Sequence, residues 1–547
     1  MWAAALLVAF LIVLPVGRML IESVLSDTTP GIIGGLTLAY YVEVFRSPEL
    51  LVALRNTLFT SFLCTLGATV FGVGLAWITT RTDTPWRGVF STLNLIPFFM
   101  SPFVGALAGR LLAAPEEGIL NEYLMQAFSL NTPLLNIYSL WGIGWVLALF
   151  YTPFMYLFTV GSFRQMDSTL EEAARVSGSG TMSVLIRITI PLAASGILSG
   201  MLITFVTSAE IFDVPVALGS IVGIHTLATQ IYATVQYPPD YSLASALGAV
   251  LFAILALGIY LQWKIIGGRS FTTVTGRSYR QSLVRLGRWR YVTWLANITY
   301  LLFAVGLPLL ALLVVAAQEA WLGRFEPRLF TLNNFVFVVF DYSMTQTALF
   351  NSLLVALVGA TVGVLLVTVV SYFIHRTSMR GRSLLELLAT LPVAVPAIVL
   401  ALGILLVWIQ TPLYGTLWLI GIAYVTRFMP FGQRTVGSVL LSIDPELDEA
   451  SRVSGASWFK TMRSVVIPLL KPGLAAAWLM LFVIFIRELG ASILLYRQGT
   501  EVMSVVLLIL SGRNLVYTAA FAIVQTVLIL GAVAVSQRFI GLGRIQL

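Results

Sequence analysis

The sequence predicts an all-α integral membrane protein with about 12 transmembrane helices, arranged as two parallel six-helix repeats. Its apolar composition, its many apolar runs of membrane-spanning length and an internal repeat support this prediction. Of the 547 residues, 58% are hydrophobic and 10% are charged, and the mean hydropathy is +0.93. Soluble domains carry about 25% charged residues. The composition therefore excludes a soluble enzyme, a disordered scaffold and a secreted disulfide-rich protein.

The apolar runs define the predicted spans, since a helix needs about 20 mostly apolar residues to cross a bilayer. The first run starts at the initiator methionine and has no small-residue cleavage site, so we expect a retained helix and not a signal peptide. A polar stretch separates two groups of six runs. The predicted spans are 2–24, 52–78, 90–112, 140–160, 192–212, 243–266, 291–317, 351–374, 384–408, 414–436, 469–489 and 519–540.

The basic residues predict the orientation of the chain. Residues 264–290 contain seven basic residues and no acidic one, whereas residues 205–263 contain no lysine or arginine. By the positive-inside rule, the side that holds 264–290 is cytoplasmic, and both termini share that side. The net charge of +8 is then a signal of topology. The sequence has no basic stripe with interleaved aromatic residues, so it does not indicate nucleic-acid binding.

An internal repeat relates the two halves of the chain. Matched residues are 295 positions apart in the earlier part of each half and 277 positions apart in the later part. This difference predicts an insertion in the first half, between Arg110 and Ser139. An even number of spans precedes the polar stretch, so corresponding helices run in the same direction, and two such halves can line a central path. The predicted parts are a first repeat over 1–266, a basic cytoplasmic linker over 267–290 and a second repeat over 291–547. The matches are Asn56, Arg81 and Pro97 with Asn351, Arg376 and Pro392, then Pro153 and Pro191 with Pro430 and Pro468.

Two corresponding loops on the predicted cytoplasmic side carry the same motif. Residues 167–191 begin Asp-Ser-Thr-Leu-Glu-Glu-Ala-Ala-Arg-Val-Ser-Gly, and residues 444–468 begin Asp-Pro-Glu-Leu-Asp-Glu-Ala-Ser-Arg-Val-Ser-Gly. The early acids favour a helix start, and Gly178 and Gly455 suit the helix end. The pattern predicts a rigid helical knob below the membrane, presented twice.

These loops resemble the EAA loop of binding-protein-dependent ABC importer permeases, Glu-Ala-Ala-x3-Gly-x9-Ile-x-Leu-Pro. The second loop departs from this pattern at Ser451, Val465 and Ile467, and the first departs at Ile190. The resemblance implies the type I ABC importer permease fold and a coupling helix in each loop, seated in a groove of an ATPase subunit. The coupling residues that it implies are Glu172, Ala173, Ala174, Gly178, Glu449, Ala450, Ser451 and Gly455.

The resemblance also implies the partners. A P-loop needs a Gly-Lys pair, and the sequence contains no Gly-Lys dipeptide. We therefore predict a chain that is not an enzyme, has no catalytic residue and binds no cofactor, with ATP and Mg held by the ATPase. The implied assembly has two ATPase copies, one for each loop, and an extracytoplasmic substrate-binding protein, in a bacterial cytoplasmic (inner) membrane.

The whole chain resembles the fused, double-length permeases typified by ferric-iron importers. The shared features are the fusion, the Asn-Ser-Leu at Asn351, the proline-broken spans and the linker sequence over 275–290. Iron(III) is the substrate that this resemblance implies first. Thiamine, 2-aminoethylphosphonate and sugar-phosphate importers have related permeases, so these substrates stay as alternatives.

Polar residues at membrane depth are the candidates for the translocation path. Glu210 and Asp213 end the fifth predicted span, Arg487 and Glu488 end the eleventh, and Arg427 lies within the tenth. Carboxylates suit a hard ferric ion, whereas arginines suit a phosphate or phosphonate. In an alternative interpretation the arginines pair with carboxylates or reach the interface, and only orient helices.

Prolines in matching spans are candidate helix breaks. Pro97 and Pro102 lie in the third predicted span, and Pro392 and Pro396 lie in the ninth. Such breaks occur where helices bend or line a cavity, so they fit either a gate or a packing kink. The two histidines stand apart without metal-binding spacing, and the sequence identifies no metal site.

Two other functional classes are alternatives to an ABC importer permease. An ion-coupled secondary transporter has no use for two loops that dock an ATPase. A membrane-embedded enzyme would need a nucleophile or metal constellation, and the sequence offers none.

Overall fold

The computed structural model describes residues 2–26, 35–167, 169–267, 283–377 and 379–540. Of the predicted linker 267–290, residues 268–282 lie outside this described part. The described residues form helices joined by short turns, with three isolated β-bridges. The all-α prediction is confirmed for this part of the chain.

The helices of the two halves follow one another in similar order. In the first half they are Trp2–Glu22, Ala39–Arg46, Pro48–Arg81, Arg87–Leu93, Ile96–Phe99, Pro102–Ala113, Ile119–Phe128, Leu140–Gln165, Thr169–Val176, Thr181–Val184, Ile190–Leu192, Ala194–Ala209, Asp213–Leu218, Leu227–Val235 and Tyr241–Gly267. In the second half they are Arg290–Leu301, Leu307–Ala316, Asn333–Val336, Ser343–Arg376, Arg382–Thr390, Ala397–Trp408, Leu417–Ser442, Pro445–Val453, Trp458–Thr461, Ile467–Arg487, Met503–Ser511 and Leu515–Ile540.

The number of membrane spans comes close to the predicted one. Eight helices in the described part are long and apolar enough to cross a membrane, and three sharply bent pairs bring the number to 11. The tenth predicted span lies on Leu417–Ser442, a 26-residue helix that carries Arg427 and Arg434 and is not among the 11. Membrane-spanning helices are thus confirmed, whereas the count of 12 stays a prediction.

Corresponding helices have equal lengths in the two halves. Pro48–Arg81 and Ser343–Arg376 each have 34 residues, and Leu140–Gln165 and Leu417–Ser442 each have 26. These lengths accord with the predicted internal repeat. The division of the chain at 266 and 291 stays a prediction.

The Asn-Ser/Thr pair near the start of each long helix fixes a later, short helix. Asn56 donates to the carbonyl two residues before Leu227–Val235 (2.9 Å), and Thr57 Oγ1 accepts the first N–H of that helix (2.8 Å). The pair at 351–352 does the same for Met503–Ser511, at 2.9 and 2.7 Å. Side chains thereby satisfy backbone groups at the helix start. The Asn-Ser-Leu feature of the sequence therefore has a structural role.

A helix near the start of each half packs against the other half. Trp2–Glu22 packs on Ala397–Trp408, and Leu307–Ala316 packs on Pro102–Ala113. The approach at Gly403 is so close that a Cβ there would lie 2.4 Å from a backbone oxygen of the first helix. Because of this exchange, neither half buries its apolar surface alone.

A π-helical turn precedes a proline at three places. The turns are Leu185–Thr189, Leu302–Gly306 and Met462–Val466. Each leads into a helix whose second residue is proline. Proline has no N–H and its ring clashes with the carbonyl four residues earlier, and a widened turn relieves both problems. The first turn sits in a segment that meets Ala194–Ala209 at 71°.

Candidate functional site: a central cavity and two matched loops

The four predicted prolines lie at two sharp helix breaks. Arg87–Phe99 meets Pro102–Ala113 at 93°, and Arg382–Ala394 meets Ala397–Trp408 at 108°. Between the helices the backbone is extended. The prolines therefore mark full breaks and not gentle kinks, while their role as a gate stays a prediction.

A cavity of about 140 Å³ lies where elements of the two halves meet near the breaks. All five candidate path residues line it, although they come from three separate predicted spans. Pro97 and Pro102 line it at the first break, and Ala397 lines it at the second. Its polar lining is Thr207, Glu210, Asp213, Arg427, Arg487, Glu488 and the Tyr151 hydroxyl, and its aromatic lining includes Phe98, Phe150, Phe154, Phe212, Phe428 and Phe431.

Arg427 joins the two halves inside the cavity wall. One guanidinium nitrogen, Nη2, lies 2.5 and 2.6 Å from the two carboxylate oxygens of Glu210, and Nη1 donates to the carbonyl of Pro392 at 2.6 Å. Arg427 is 4% exposed. A buried charge needs a partner of opposite sign. In this structure Glu210 supplies that partner, and the carbonyl of Pro392, which also accepts the N–H of Val395, supplies a second acceptor.

Arg487 holds the first break in a similar way. Its Nη1 donates to the carbonyls of Phe98 and Met100, the second at 2.7 Å, and its guanidinium lies over the Phe98 ring, 5.3 Å from the centroid. A broken helix leaves carbonyls without an intrahelical partner, and an arginine can satisfy two of them. Both arginines therefore bind carbonyls at the breaks, while their role in a translocation path stays a prediction.

The two remaining acids of the cavity occupy helix and turn starts. Glu488 accepts the N–H of Ala491 at 3.0 Å, and its own carbonyl accepts the Tyr424 hydroxyl at 3.0 Å. Asp213 is the first residue of Asp213–Leu218. Among the residues that the structure describes, no three His, Cys, Asp or Glu side chains lie close enough together to hold a metal ion.

Each matched loop contains a short helix that ends at the predicted glycine. Thr169–Val176 is followed by Gly178 (φ +85°), and Pro445–Val453 is followed by Gly455 (φ +80°). The N–H after each glycine donates back five residues along the chain, at 3.0 and 3.1 Å. This is the Schellman motif, which favours glycine because its left-handed position strains a residue that has a Cβ.

Replacing these glycines should loosen the loops. We expect Gly178→Ala and Gly455→Ala each to destabilise the local helix end by about 1–2 kcal/mol, the cost of a left-handed residue with a side chain. Nothing lies within 4 Å of the added Cβ, so the effect would be purely one of backbone conformation. Hydrogen exchange of the loop amides measures it. Gly180→Ala is the control, because Gly180 has equally open space and φ −70°; equal exchange in variants and control would contradict the account.

The two loops expose apolar side chains at matching positions. Val176 and Val453 are both 89% exposed, and four other large apolar residues are also exposed. Glu172 and Glu449 are exposed on the same helices, whereas Ala174 and Ser451 are half-buried. Clustered exposed apolar residues mark interaction sites. The full set of these apolar positions is Leu170, Val176 and Met182 in the first loop and Leu447, Val453 and Phe459 in the second.

A buried arginine ties the first loop to two spans. Arg81, the last residue of Pro48–Arg81, donates Nη2 to the carbonyls of Phe163 and Met166, at 2.6 and 3.1 Å. Its Nη1 lies 3.8 Å from a carboxylate oxygen of Glu171 on the loop helix, and Thr189 donates to the other oxygen at 2.6 Å. The ends of Pro48–Arg81 and Leu140–Gln165 and the loop helix therefore meet at the guanidinium of Arg81.

The second loop repeats the arginine contacts of this arrangement, whereas Val466 stands where the first loop has Thr189. Arg376 donates Nη2 to the carbonyls of Leu440 and Ile443, at 2.8 and 2.5 Å, and its Nη1 lies 3.9 Å from Asp448. We call Arg81 and Arg376 the anchor arginines, and Glu171 and Asp448 the anchor acids. Sequence reasoning matched the two arginines but gave them no role beyond topology. The sequence did contain a signal for this role, because the anchor acids Glu171 and Asp448 stand at corresponding positions, 277 residues apart.

Comparison with known proteins identifies the family. The model of the family described as "Binding-protein-dependent transport system inner membrane component" matches twice, over residues 68–267 and 375–542. A putative ferric transport system permease of Haemophilus influenzae is 29% identical over 85% of this chain and 72% of its own length. A ferric transport system permease of Actinobacillus pleuropneumoniae is 28% identical over 85% of this chain and 68% of its own.

A shorter relative matches one part of the chain. A putative 2-aminoethylphosphonate transport system permease of Salmonella paratyphi A is 28% identical over 42% of this chain and 86% of its own length. The two matches of the family model confirm the resemblance seen in the paired loops and fit a double-length architecture. The chain belongs to the family of binding-protein-dependent transport system inner membrane components, as an ABC importer permease of double length.

Proposed function

We propose that this chain is the non-catalytic permease subunit of an ATP-driven importer, and that an ATPase subunit docks on each of its two loops. The observation that carries the proposal is that the same loop structure occurs twice. Each copy has a short helix with an exposed acid and exposed apolar residues. A left-handed glycine ends this helix, and an anchor arginine connects it to two spans. A partner with two equivalent grooves fits a surface presented twice.

The anchor arginines give this docking a mechanical consequence. A movement of the loop helix acts on its anchor acid, then on the arginine, and through the arginine on the ends of two spans. One of these, Leu140–Gln165, carries Phe150, Tyr151 and Phe154 into the lining of the central cavity. Packed helices move as rigid elements. Closure of the ATPase pair would thereby change the cavity from a distance.

The orientation follows from the same assignment. With ATPase subunits on the loops, the loop side is the cytoplasmic side of a bacterial inner membrane, and both termini lie there. The basic residues predict the same side independently. The opposite side, where Leu227–Val235 and Met503–Ser511 lie, would then receive substrate from an extracytoplasmic binding protein.

Iron(III) is the substrate that we propose. Two relatives over most of the chain are named as ferric transport permeases. Three acids, Glu210, Asp213 and Glu488, outnumber the two arginines in the cavity lining, and an acidic lining favours the passage of a cation. The arginines support phosphonate or sugar-phosphate import less, because Arg427 is occupied by Glu210 and a carbonyl and Arg487 by two carbonyls.

Reversing the exposed acids should prevent ATPase docking. We expect the double variant Glu172→Arg plus Glu449→Arg to lose the ATPase during purification, because the reversal places like charges in both docking surfaces. Each single variant should keep one ATPase copy where the unchanged chain keeps two. Native mass measurement of the purified complex counts the copies.

A matched charge reversal controls for net charge. Glu43→Arg plus Glu386→Arg changes two exposed acids outside the loops by the same amount and should leave both ATPase copies bound. If the loop variant kept both copies and normal ATP hydrolysis stimulated by the binding protein, the docking assignment would be wrong.

The substrate is tested on the binding protein. We expect the cognate extracytoplasmic protein to bind ferric ion in preference to thiamine and 2-aminoethylphosphonate, as measured by calorimetry with each ligand. Preference for a phosphonate would replace iron(III) as the cargo and would leave the docking assignment intact.

A further inference from the structure

A second cavity of about 430 Å³ lies beside the central one. We call it the lateral chamber. Its walls come from Pro102–Ala113, from Leu140–Gln165, and from Phe303 and Pro308 near the start of the second half. The fourth wall is part of the inserted segment between residues 114 and 139. The chamber thus lies at the seam where the two halves exchange a helix.

The lateral chamber is apolar and open to the outer surface of the helix bundle. Its lining residues are apolar except for Asn136 and the indole N–H groups, and Asn136 Oδ1 already accepts the N–H of Tyr138 at 2.9 Å. Trp141 and Trp145 line it and are 67% and 46% exposed. An apolar cavity of about 150 Å³ already stays dry and binds benzene. Water is therefore a poor occupant here, and hydrocarbon is a good one.

The chamber is specific to the first half, because the insertion supplies one of its walls. Asn121 is fully buried and donates to the carbonyls of Ala114 and Leu135 at 2.8 Å each, while its oxygen accepts the Leu135 N–H at 2.9 Å. These three bonds fix the inserted wall. In the second half the corresponding connection is only residues 409–416, too short to supply such a wall.

We propose that the lateral chamber holds an acyl chain of a membrane phospholipid. The surrounding helices are membrane-spanning, so the apolar molecule at the chamber mouth is lipid. Exposed tryptophans at the mouth suit the membrane interface. Burial of each methylene group of the chain is favourable, and a filled chamber also avoids the cost of an empty cavity.

Occupancy of the chamber has a consequence for the central cavity through Phe150. This residue lines both cavities. Its ring lies so close to Gly105 that a Cβ there would be 2.1 Å from a ring carbon. An acyl chain in the chamber would therefore contact a residue that also lines the central cavity. Transport should depend on a phospholipid chain in this position, whatever the cargo.

Photolabelling tests the proposal on the full chain in lipid nanodiscs. The probe is a phosphatidylethanolamine with a diazirine on one acyl chain, and labelled peptides are mapped by mass spectrometry. We expect peptides from 105–113 and 135–149 to carry the strongest label. Uniform label over all lipid-facing helices, or label confined to other helices, would overturn the proposal, and this result needs no variant.

A chamber-filling variant sharpens the test. Ala113→Phe should lose most of the label in the chamber peptides, while Val70→Phe, on an exposed face of Pro48–Arg81, should keep it. Unchanged chamber label in Ala113→Phe would also overturn the proposal. So would native mass spectrometry that finds a peptide or a detergent, and no phospholipid, retained by the unchanged chain.

Discussion

Arg427→Met is expected to destabilise the protein by about 3–5 kcal/mol, the cost of breaking a buried ion pair and leaving one charge without its partner. The variant leaves Glu210 in the wall of the central cavity without its guanidinium, and it leaves the carbonyl of Pro392 without that donor. The double variant Arg427→Met plus Glu210→Gln should recover much of the loss, because it buries no net charge. Thermal unfolding of the purified protein measures each step of this cycle.

An exposed arginine on the same helix is the control. Arg434→Met removes the same charge from Leu417–Ser442 at an exposed position, and we expect a change within about 0.5 kcal/mol. If Arg427→Met were as harmless as Arg434→Met, or if the double variant were as unstable as Arg427→Met alone, the ion pair would not join the halves as described.

The second large effect is expected at the anchor arginines. Arg81→Met and Arg376→Met should abolish stimulation of ATP hydrolysis by the binding protein and reduce transport by tenfold or more. Each loses bonds from a charged donor, worth about 1.5–3 kcal/mol apiece, and about 1.4 kcal/mol is a factor of ten in a population. Basal ATP hydrolysis and ATPase binding should persist, because the docking surface itself is unchanged.

The two anchors should differ in strength. Glu171 is also held by Thr189 and approached by Arg175, so Arg81→Met disturbs a larger network than Arg376→Met. Arg380→Met, exposed and four residues from Arg376, is the control and should transport normally. Normal stimulated hydrolysis in both anchor variants would show that the loops transmit movement by another route.

The sequence predicts the local features of this protein well. Apolar length predicts most spans, and glycine at the end of a short acidic helix predicts the left-handed turns at Gly178 and Gly455. Polar residues in apolar surroundings predict a shared location, and the five candidates do line one cavity. These features depend on a residue and its near neighbours, which the sequence displays directly.

The sequence does not predict contacts between residues that lie far apart along the chain. Arg427 pairs with Glu210, more than 200 residues away, and Arg487 donates to backbone carbonyls, which every residue has. An apolar first helix such as Trp2–Glu22 carries no sign of which half it packs on. The lateral chamber likewise depends on an insertion whose position the sequence predicts but whose packing it does not.

Uptake into proteoliposomes tests the central claim most directly. The purified chain, its co-purified ATPase and the cognate binding protein are reconstituted, and ferric iron carried inside is measured. We predict uptake that requires both ATP and the binding protein, persists when ion gradients are collapsed, and is lost with Glu172→Arg plus Glu449→Arg. Uptake driven by an ion gradient in the absence of ATP would contradict the account and favour an ion-coupled carrier.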